Sequence, residues 1–458
     1  MRAVSTGWID GRAEHMPELQ AKYNADVLII EKEVARMNDP VERKILSEIH
    51  GRNALRHIER ICEFGDRFVG TEGDQKTFNY ARDHFEGLGL KIELTNIRVP
   101  TYEERSVELV LTDTGTKLKA ISPYFTEACP DGVKGEMVYI GEGREKDYEG
   151  IDVRGKIVVL NEAATGWDWF WLGPFSKRAA IHGAVGLIII HPFPWPNRMP
   201  MEAGNLDIRH RFVDQQVPAG CISALDGLTV MHHIGQGRTN TYLKIDSDIY
   251  DVDSAILSGV IEGSQWPEER IALIGHRDGP IPPAANDNGS GIGCQLEVAR
   301  VLSKFGPKRS VEFICSTAEE SASPGAWQFV QAHKERLPKM KALINLDMLG
   351  TGGRLNLAEK GQWHDTELIE FTPWLLEMLE NVADELGYYV GRMIAATTSE
   401  ETRFLEAGVP AAWFYKWDDY YYHSEHDTPE KIDANSLKAV ADIVAITIWR
   451  LANEEPSG

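Results

Sequence analysis

Long apolar runs are missing from this sequence: none approaches the roughly 20 residues that a membrane-spanning helix needs. The opening stretch, Met1 to Asp10, has no apolar core of the signal-peptide kind. A cytoplasmic protein is therefore expected, or a secreted one whose leader has been removed. Cysteine is scarce: Cys62, Cys129, Cys221, Cys294 and Cys315 are scattered, odd in number and free of any CxxC pair, which argues against a disulfide framework. Cys294 and Cys315 lie in apolar stretches and read as small buried hydrophobes. Positive charge is also in deficit, with 48 Lys and Arg against 70 Asp and Glu and a formal charge of −22. That balance disfavours nucleic acid and anionic membranes, which need a basic face, and reads as a solvated acidic surface. No internal repeat or low-complexity segment is visible.

What is present is a soluble globular composition, 43% hydrophobic over 458 residues, enough for two or three domains. Before about Glu48 the charged sequence reads as two helices interrupted at Asp39-Pro40, a dimer arm, a flap or plain packing. Helical spacing follows over Ala54–Cys62 and Thr77–Phe85, with Gly65 to Gly73 as a loop. Leu90–Val99 alternates as a strand, and Ser106–Leu111 reads as its partner. From Asp113 to Asp248 short strands crowd together at Glu136–Ile140, Lys156–Leu160, Val185–Ile190 and Thr239–Ile245, with helices at Ser176–His182 and Leu225–Ile234. Two aromatic loops there, Trp167–Trp171 and Pro192–Pro196, suit either a binding wall or internal packing. Strand–helix alternation resumes beyond Ile256, with helices over Gly289–Leu302, Ala326–His333, Glu367–Leu386, Glu400–Glu406 and Ser436–Asn453. The expected architecture is α/β: a mixed, largely parallel central sheet sandwiched by helices, with a β-rich inserted domain. The expected boundaries are 1–112 for N-terminal helices and the first part of the main domain, 113–250 for the insert and 251–458 for the rest.

Three apolar runs in the main domain each end just before a His or a carboxylate, and strand ends are where open α/β sheets place their sites. His276 and Asp278 flank one residue after Ile271–Gly275. Positions two apart on an extended chain share a side, so one can bind a metal while the other orients its ring. Asp287 sits in Asn-Asp-Asn-Gly-Ser-Gly, a tight turn into a helix. Glu319 and Glu320 follow Val311–Ser316, and Asp347 follows Ala342–Leu346. Carboxylates crowded into a dry site repel unless a cation lies between them. A second imidazole comes from Tyr420-Tyr-Tyr-His-Ser-Glu-His426, where His423 and His426 are rivals. The set His276, Asp287, Glu320, Asp347 and His423 is too oxygen-rich for a structural zinc, and it suits two divalent ions sharing a carboxylate and activating a bridging water.

The order His-x-Asp, Asp-Asn-Gly-Ser-Gly, Glu-Glu, Asn-Leu-Asp, Tyr-His resembles the M28 family of co-catalytic zinc aminopeptidases over about Ala54 to Asn453. Gly65 to Thr71 resembles that family's Gly-x-Arg-x-x-Gly-Thr loop. The insert resembles a protease-associated (PA) domain through Gly155–Leu160 and Lys177–Gly186. The resemblance implies that His276 and Asp347 hold one zinc, Glu320 and His423 the other, and Asp287 bridges them through a cis peptide to Asn288. It implies Asp278 as the residue orienting His276, Glu319 as general base and Tyr422 as donor to the developing oxyanion. It also prefers His423 to His426. Departures are Ser321–Gly325, Ser399-Glu400-Glu401 and the bulky Arg277, which bear on the substrate pocket rather than the metals.

The expected activity is a dinuclear-metal exopeptidase acting on a peptide or amide substrate, an aminopeptidase first, with Glu400, Glu401, Asp418 or Asp419 receiving the free amine. The metals are zinc by resemblance, with cobalt or manganese compatible with the donor set. A dipeptidase, a carboxypeptidase-type enzyme or a non-peptide amide hydrolase is the alternative, with Arg277, Arg354, Arg392 or Arg403 holding a carboxylate. A non-catalytic receptor-like relative and a single-zinc cyclase-type transferase fit less well, because the ligand set is complete. A homo-oligomer is compatible with all of these.

Overall fold

Alternate residues of the central strands enter different cores. Ile271 and Leu273 join one apolar cluster, Ala272 and Ile274 another, so this sheet is buried on both faces. The computed structural model describes residues 39–161, 172–199, 201, 215–361, 368–395, 398–416 and 419–455. The segment before Asp39, the Trp167–Trp171 loop and Asp418 lie outside these residues. The described helices are α1 (Pro40–Glu48), α2 (Gly51–Cys62), α3 (Glu72–Gly87), α4 (Gly173–Ile181), α5 (Ala224–Gly235), α6 (Gly291–Leu302), α7 (Pro324–Ala332), α8 (Pro373–Glu385), α9 (Glu401–Glu406) and α10 (Ala434–Asn453). The strands are β1 (Lys91–Leu111), β2 (Thr116–Leu118), β3 (Ala120–Ile121), β4 (Cys129–Tyr139), β5 (Ile157–Asn161), β6 (Gly186–Ile190), β7 (Ala219–Ile222), β8 (Asn240–Ile261), β9 (Trp266–His276), β10 (Arg309–Ser316), β11 (Met340–Leu346), β12 (Asn356–Gly361), β13 (Ile369–Glu370), β14 (Gly391–Ile394) and β15 (Ala411–Tyr415). None of the described helices is long and apolar enough to cross a membrane.

The strand order is β13-β12-β15-β11-β9-β10-β8-β4-β5-β6-β7-β3. At its centre β15, β11, β9 and β10 run parallel, so their carboxyl ends share one edge. Helices α2, α6, α8 and α10 contribute to the cluster on one face, α7 and Phe404 of α9 to the other. Cys294 and Cys315 are buried in the first of these cores, and all five cysteines are free. The mixed α/β architecture expected from sequence is the one observed.

Several boundaries move. Ser106–Leu111 is not the partner of Leu90–Val99, because both belong to the single strand β1. Its partner is β8, which likewise joins the separately read Thr239–Ile245 and Ile256–Ile261. The polar middle of this ribbon looks like a turn in sequence. It remains strand because ladder pairing continues through a bulge at Glu104/Ser106 and Arg105 pairs across the strands with Asp246 and Asp248. Helix α3 begins at Glu72, five residues early, because the Thr71 side chain accepts from the Asp74 amide and caps it there. Helix α8 begins at Pro373 rather than Glu367, since Ile369–Glu370 pairs with β12.

The ribbon carries the chain from the main sheet to a second group of strands, where β4, β5, β6 and β7 are parallel. Their side chains form two further apolar clusters, and Tyr422 from the main part packs against one of them. The Pro192–Pro196 loop at the end of β6 packs against the Tyr420–His426 loop. Trp195 stacks on Tyr421 at 5.6 Å and meets His426 at 4.6 Å, while Phe193 meets Tyr420 edge-on at 5.2 Å.

Candidate metal centre

Each parallel strand delivers its residue at the shared edge: β9 ends at His276, β10 leads to Glu319-Glu320, β11 to Asp347, and β15 to the loop bearing His423. His276 Nε2 lies 3.5 Å from Asp287 Oδ1 and 3.4 Å from Asp347 Oδ1. His423 Nε2 lies 3.1 Å from Asp287 Oδ2 and 3.4 Å from Glu320 Oε2. The donor atoms of His276, Asp287 and Asp347 all fall within 4.8 Å of one another, as do those of Asp287, Glu320 and His423. Asp287 thus turns one oxygen to each group. His423 and not His426 is drawn in; His426 is half-exposed and its nearest carboxylate is Glu425 at 3.8 Å.

The backbone around these residues is held in uncommon conformations. Ala284, Ala318, Ala322, Ser323, Met348 and His423 have positive φ, six of the seven such non-glycine residues described, and the Asp287–Asn288 peptide is cis. Each positive φ costs on the order of 1–3 kcal/mol and persists only where surroundings over-determine it. Here the surroundings do. Asn288 donates to Leu346 O (2.8 Å) and accepts from Gly291 N (2.8 Å). Asn286 accepts from Gly350 N (2.7 Å) and donates to Asp419 Oδ2 (2.7 Å). The buried Asp427 carboxylate accepts from the amides of Asn286 (2.8 and 3.0 Å) and Asp287 (3.0 Å).

Asp278 touches both ends of the cluster. Its carboxylate is 3.4 Å from His276 Nδ1 and accepts from Glu320 N at 3.1 Å, while its carbonyl is 3.2 Å from the same Nδ1. His423 is fixed by the Asn197–Arg198 segment: its Nδ1 is 2.6 Å from Arg198 O, Arg198 N donates to His423 O, and Asn197 Nδ2 donates to Tyr422 O. Since a carbonyl only accepts, Nδ1 carries the proton. Burial keeps His423 neutral, lowering its pKa to about 3. The bare Nε2 lone pair therefore faces two carboxylate oxygens, an arrangement that a cation reconciles.

The electrostatics of the remaining groups agree. Burial, then repulsion from Asp347, raises Asp287 well above the usual carboxylate range; burial, then Asp287, does the same to Glu320. Burial disfavours a charged His276, but Asp347 and Asp278 outweigh it and raise its pKa. His276 Nε2, Asp347 Oδ1 and Glu320 Oε1 are buried without a hydrogen-bond partner. Buried polar atoms left unpaired in this way are costly, and here they converge on common points. The donor set, two imidazoles and three carboxylates, fits divalent ions. Glu319 stands beside this set with its pKa raised to about 8, first by burial and then by Asp347 and Asp287. Tyr422 stacks on His423 at 3.8 Å, and burial with the charges of Asp287 and Glu320 keeps its hydroxyl protonated.

Other candidates are placed differently. Arg277 turns to the opposite side of its strand, where it pairs with Asp74 at 2.7 Å and lies over Phe78, as alternation requires. Arg392 pairs with Glu380, Arg354 with Asn356, and Arg403 is buried near Glu406. Glu401 is committed to Asn345 Nδ2 (2.6 Å) and Ser399 N (3.0 Å), Asp419 to Asn286 and Tyr421 N, and Glu400 is fully buried. Asp427, Asn197 and Arg198 were not singled out from sequence, although Asp427 lies inside the aromatic His motif.

Residues 257–448 match the family model for peptidase family M28. Human carboxypeptidase Q is 24% identical over 93% of this chain and 91% of its own length. Aminopeptidase YwaD of Bacillus subtilis strain 168 is 23% identical over 88% and 85%. Among solved structures, a peptidase M28 precursor from Shewanella amazonensis SB2B superposes with a TM-score of 0.74 at 20% identity, covering 93% of this chain and 97% of that one. The zinc aminopeptidase BSAP from Bacillus subtilis gives 0.71 at 21% identity over 90% and 97%. Residues 257–448 are thus a peptidase family M28 domain.

Proposed function

We propose that this metallopeptidase is a dinuclear-metal exopeptidase that releases N-terminal residues. The observation that carries this reading is the pair of donor groups joined through the two oxygens of Asp287. His276 and Asp347 would hold one divalent ion, Glu320 and His423 the other, with Asp287 between them; zinc is supported by the likeness to a zinc aminopeptidase. Bound ions there supply Lewis acidity toward a substrate carbonyl and a water. Glu319, which joins His276 and Glu320 in one cluster of donor atoms, takes the water's proton and returns it to the leaving amine. Asp278 holds the His276 ring, Arg198 O fixes the tautomer of His423, and the Tyr422 hydroxyl donates to the oxygen that gains charge. The same reading makes residues 113–250 an inserted PA-like domain whose Trp195–Arg198 segment supports His423.

The test is Glu319→Gln. The variant should keep two ions per chain and lose about 10²-fold or more of peptide hydrolysis. Near-wild-type turnover would remove Glu319 from the chemistry, and fewer than one ion per chain in metal-replete wild type would remove the dinuclear site. Likeness to carboxypeptidase Q along 93% of the chain favours a second reading, in which a free substrate carboxylate is also recognised.

A further inference from the structure

Beside the Glu320–His423 end of the cluster lies a cavity of about 480 Å³, with Phe68, Thr101, Glu104, Tyr124, Arg198 and Pro280 in its wall. Three of these tie it to the metal centre. Pro280 is two residues past Asp278. Thr101 follows Pro100, whose carbonyl accepts from Ser321 next to Glu320 at 3.4 Å. The main chain of Arg198 clasps His423 at both its ring and its carbonyl. The cavity is thus walled by segments that also hold the Glu320–His423 end, and Tyr124 in its wall feels the charge of Glu320.

Among the described residues, the other cations around the centre are engaged. Arg67 donates to the carbonyls of Arg277, Pro283 and Ala284; Arg277 faces Asp74; Lys416 donates to Thr351 O. Arg198 is the described cation in the cavity wall. Its guanidinium lies over the Tyr124 ring at 5.2 Å, and Nη2 meets Glu104 Oε2 at 2.8 Å. Its Nε has no hydrogen-bond partner, so the fork keeps a donor beyond the Glu104 pair for a second carboxylate. The acidic groups of the wall are committed: Asp66 to Phe68 N (2.9 Å), Glu103 to the Tyr250 hydroxyl (3.2 Å), and Glu104 to Arg198 and to Ser122 N (2.8 Å).

We propose that Arg198 binds the free C-terminal carboxylate of the substrate, so that this enzyme selects dipeptides, cutting one residue from a carboxylate held in this cavity. The inference rests on the peptidase reading above and deepens it. The experiment compares Leu-Leu, Leu-Leu amide and Leu-Lys amide on metal-loaded wild type, Arg198→Lys and Arg198→Gln. Wild type should favour Leu-Leu over its amide by tenfold or more in kcat/KM, mainly through KM. Arg198→Gln should bring that ratio within twofold of one, and Arg198→Lys should fall between. An active wild type with a ratio near one overturns the proposal without needing any variant. So does an unchanged ratio in a folded, metal-loaded Arg198→Gln, or a preference for Leu-Lys amide over Leu-Leu. Failure of loaded wild type to cleave any of the three would instead overturn the peptidase reading.

Discussion

Replacing Asp427 by alanine removes the acceptor that holds the Asp287 turn in place. Its carboxylate takes two buried backbone donors, the amides of Asn286 and Asp287, through three contacts of 2.8 to 3.0 Å. Asp427 is only 2% exposed, so water does not readily substitute. A buried donor left unpaired costs about 1–3 kcal/mol, which puts the alanine variant about 2–6 kcal/mol below wild type. That is a large fraction of the roughly 5–15 kcal/mol that holds a folded domain together. The damage is also local, because Asp287 is the residue that faces both donor groups. Asp427→Asn keeps one acceptor oxygen and should cost less than Asp427→Ala.

Urea unfolding of the metal-free and metal-loaded forms measures the first effect, and metal titration under native conditions measures the second. The expected order of stability is wild type, Asp427→Asn, Asp427→Ala, with metal affinity falling in the same order. An alanine variant within about 1 kcal/mol of wild type and with unaltered metal binding would refute the argument that Asp427 secures the turn.

The Arg277–Asp74 pair is buried and faces away from the metal centre. Asp74→Ala should therefore cost about 3–5 kcal/mol of stability, read by urea unfolding, while the remaining folded enzyme keeps its substrate preference. A shift in preference would place Arg277 in the substrate pocket after all. His57 makes the fold sensitive to acid. Burial, then the neighbouring His84, lowers its pKa from 6.5 to about 4, while the unfolded side chain titrates near the ordinary value. Between those values the unfolded state binds the extra proton, so stability is full above about pH 6.5 and falls by up to about 3 kcal/mol as pH drops to about 4. His57→Asn should flatten the curve in that window; an unchanged curve would acquit His57.

The legible part of the site is the part that sits at the ends of elements. Parallel strands buried on both faces carry continuous apolar runs, and the first polar residues past Gly275, Ser316 and Leu346 must emerge at the same edge. Alternation also determines that Arg277 leaves the side shared by His276 and Asp278. What sequence did not show is what holds these residues. His423 is fixed by a carbonyl 225 residues away and Asn286 by a carboxylate 141 residues away, and no local period encodes such partners. The choice between His423 and His426 has the same character. Both imidazoles stand in one aromatic loop, and they are separated by a positive φ at His423 and by the Arg198 carbonyl that accepts from its ring. The long ribbon of β1 and β8 is hidden in the sequence for a related reason: its polar middle resembles a turn in each strand, and only the pairing of the two strands keeps it extended. Because Arg198 arrives by way of that ribbon and the strands beyond it, the second imidazole of the metal centre and the proposed carboxylate anchor depend on the same inserted segment. A change there that frees His423 should therefore loosen metal and substrate together.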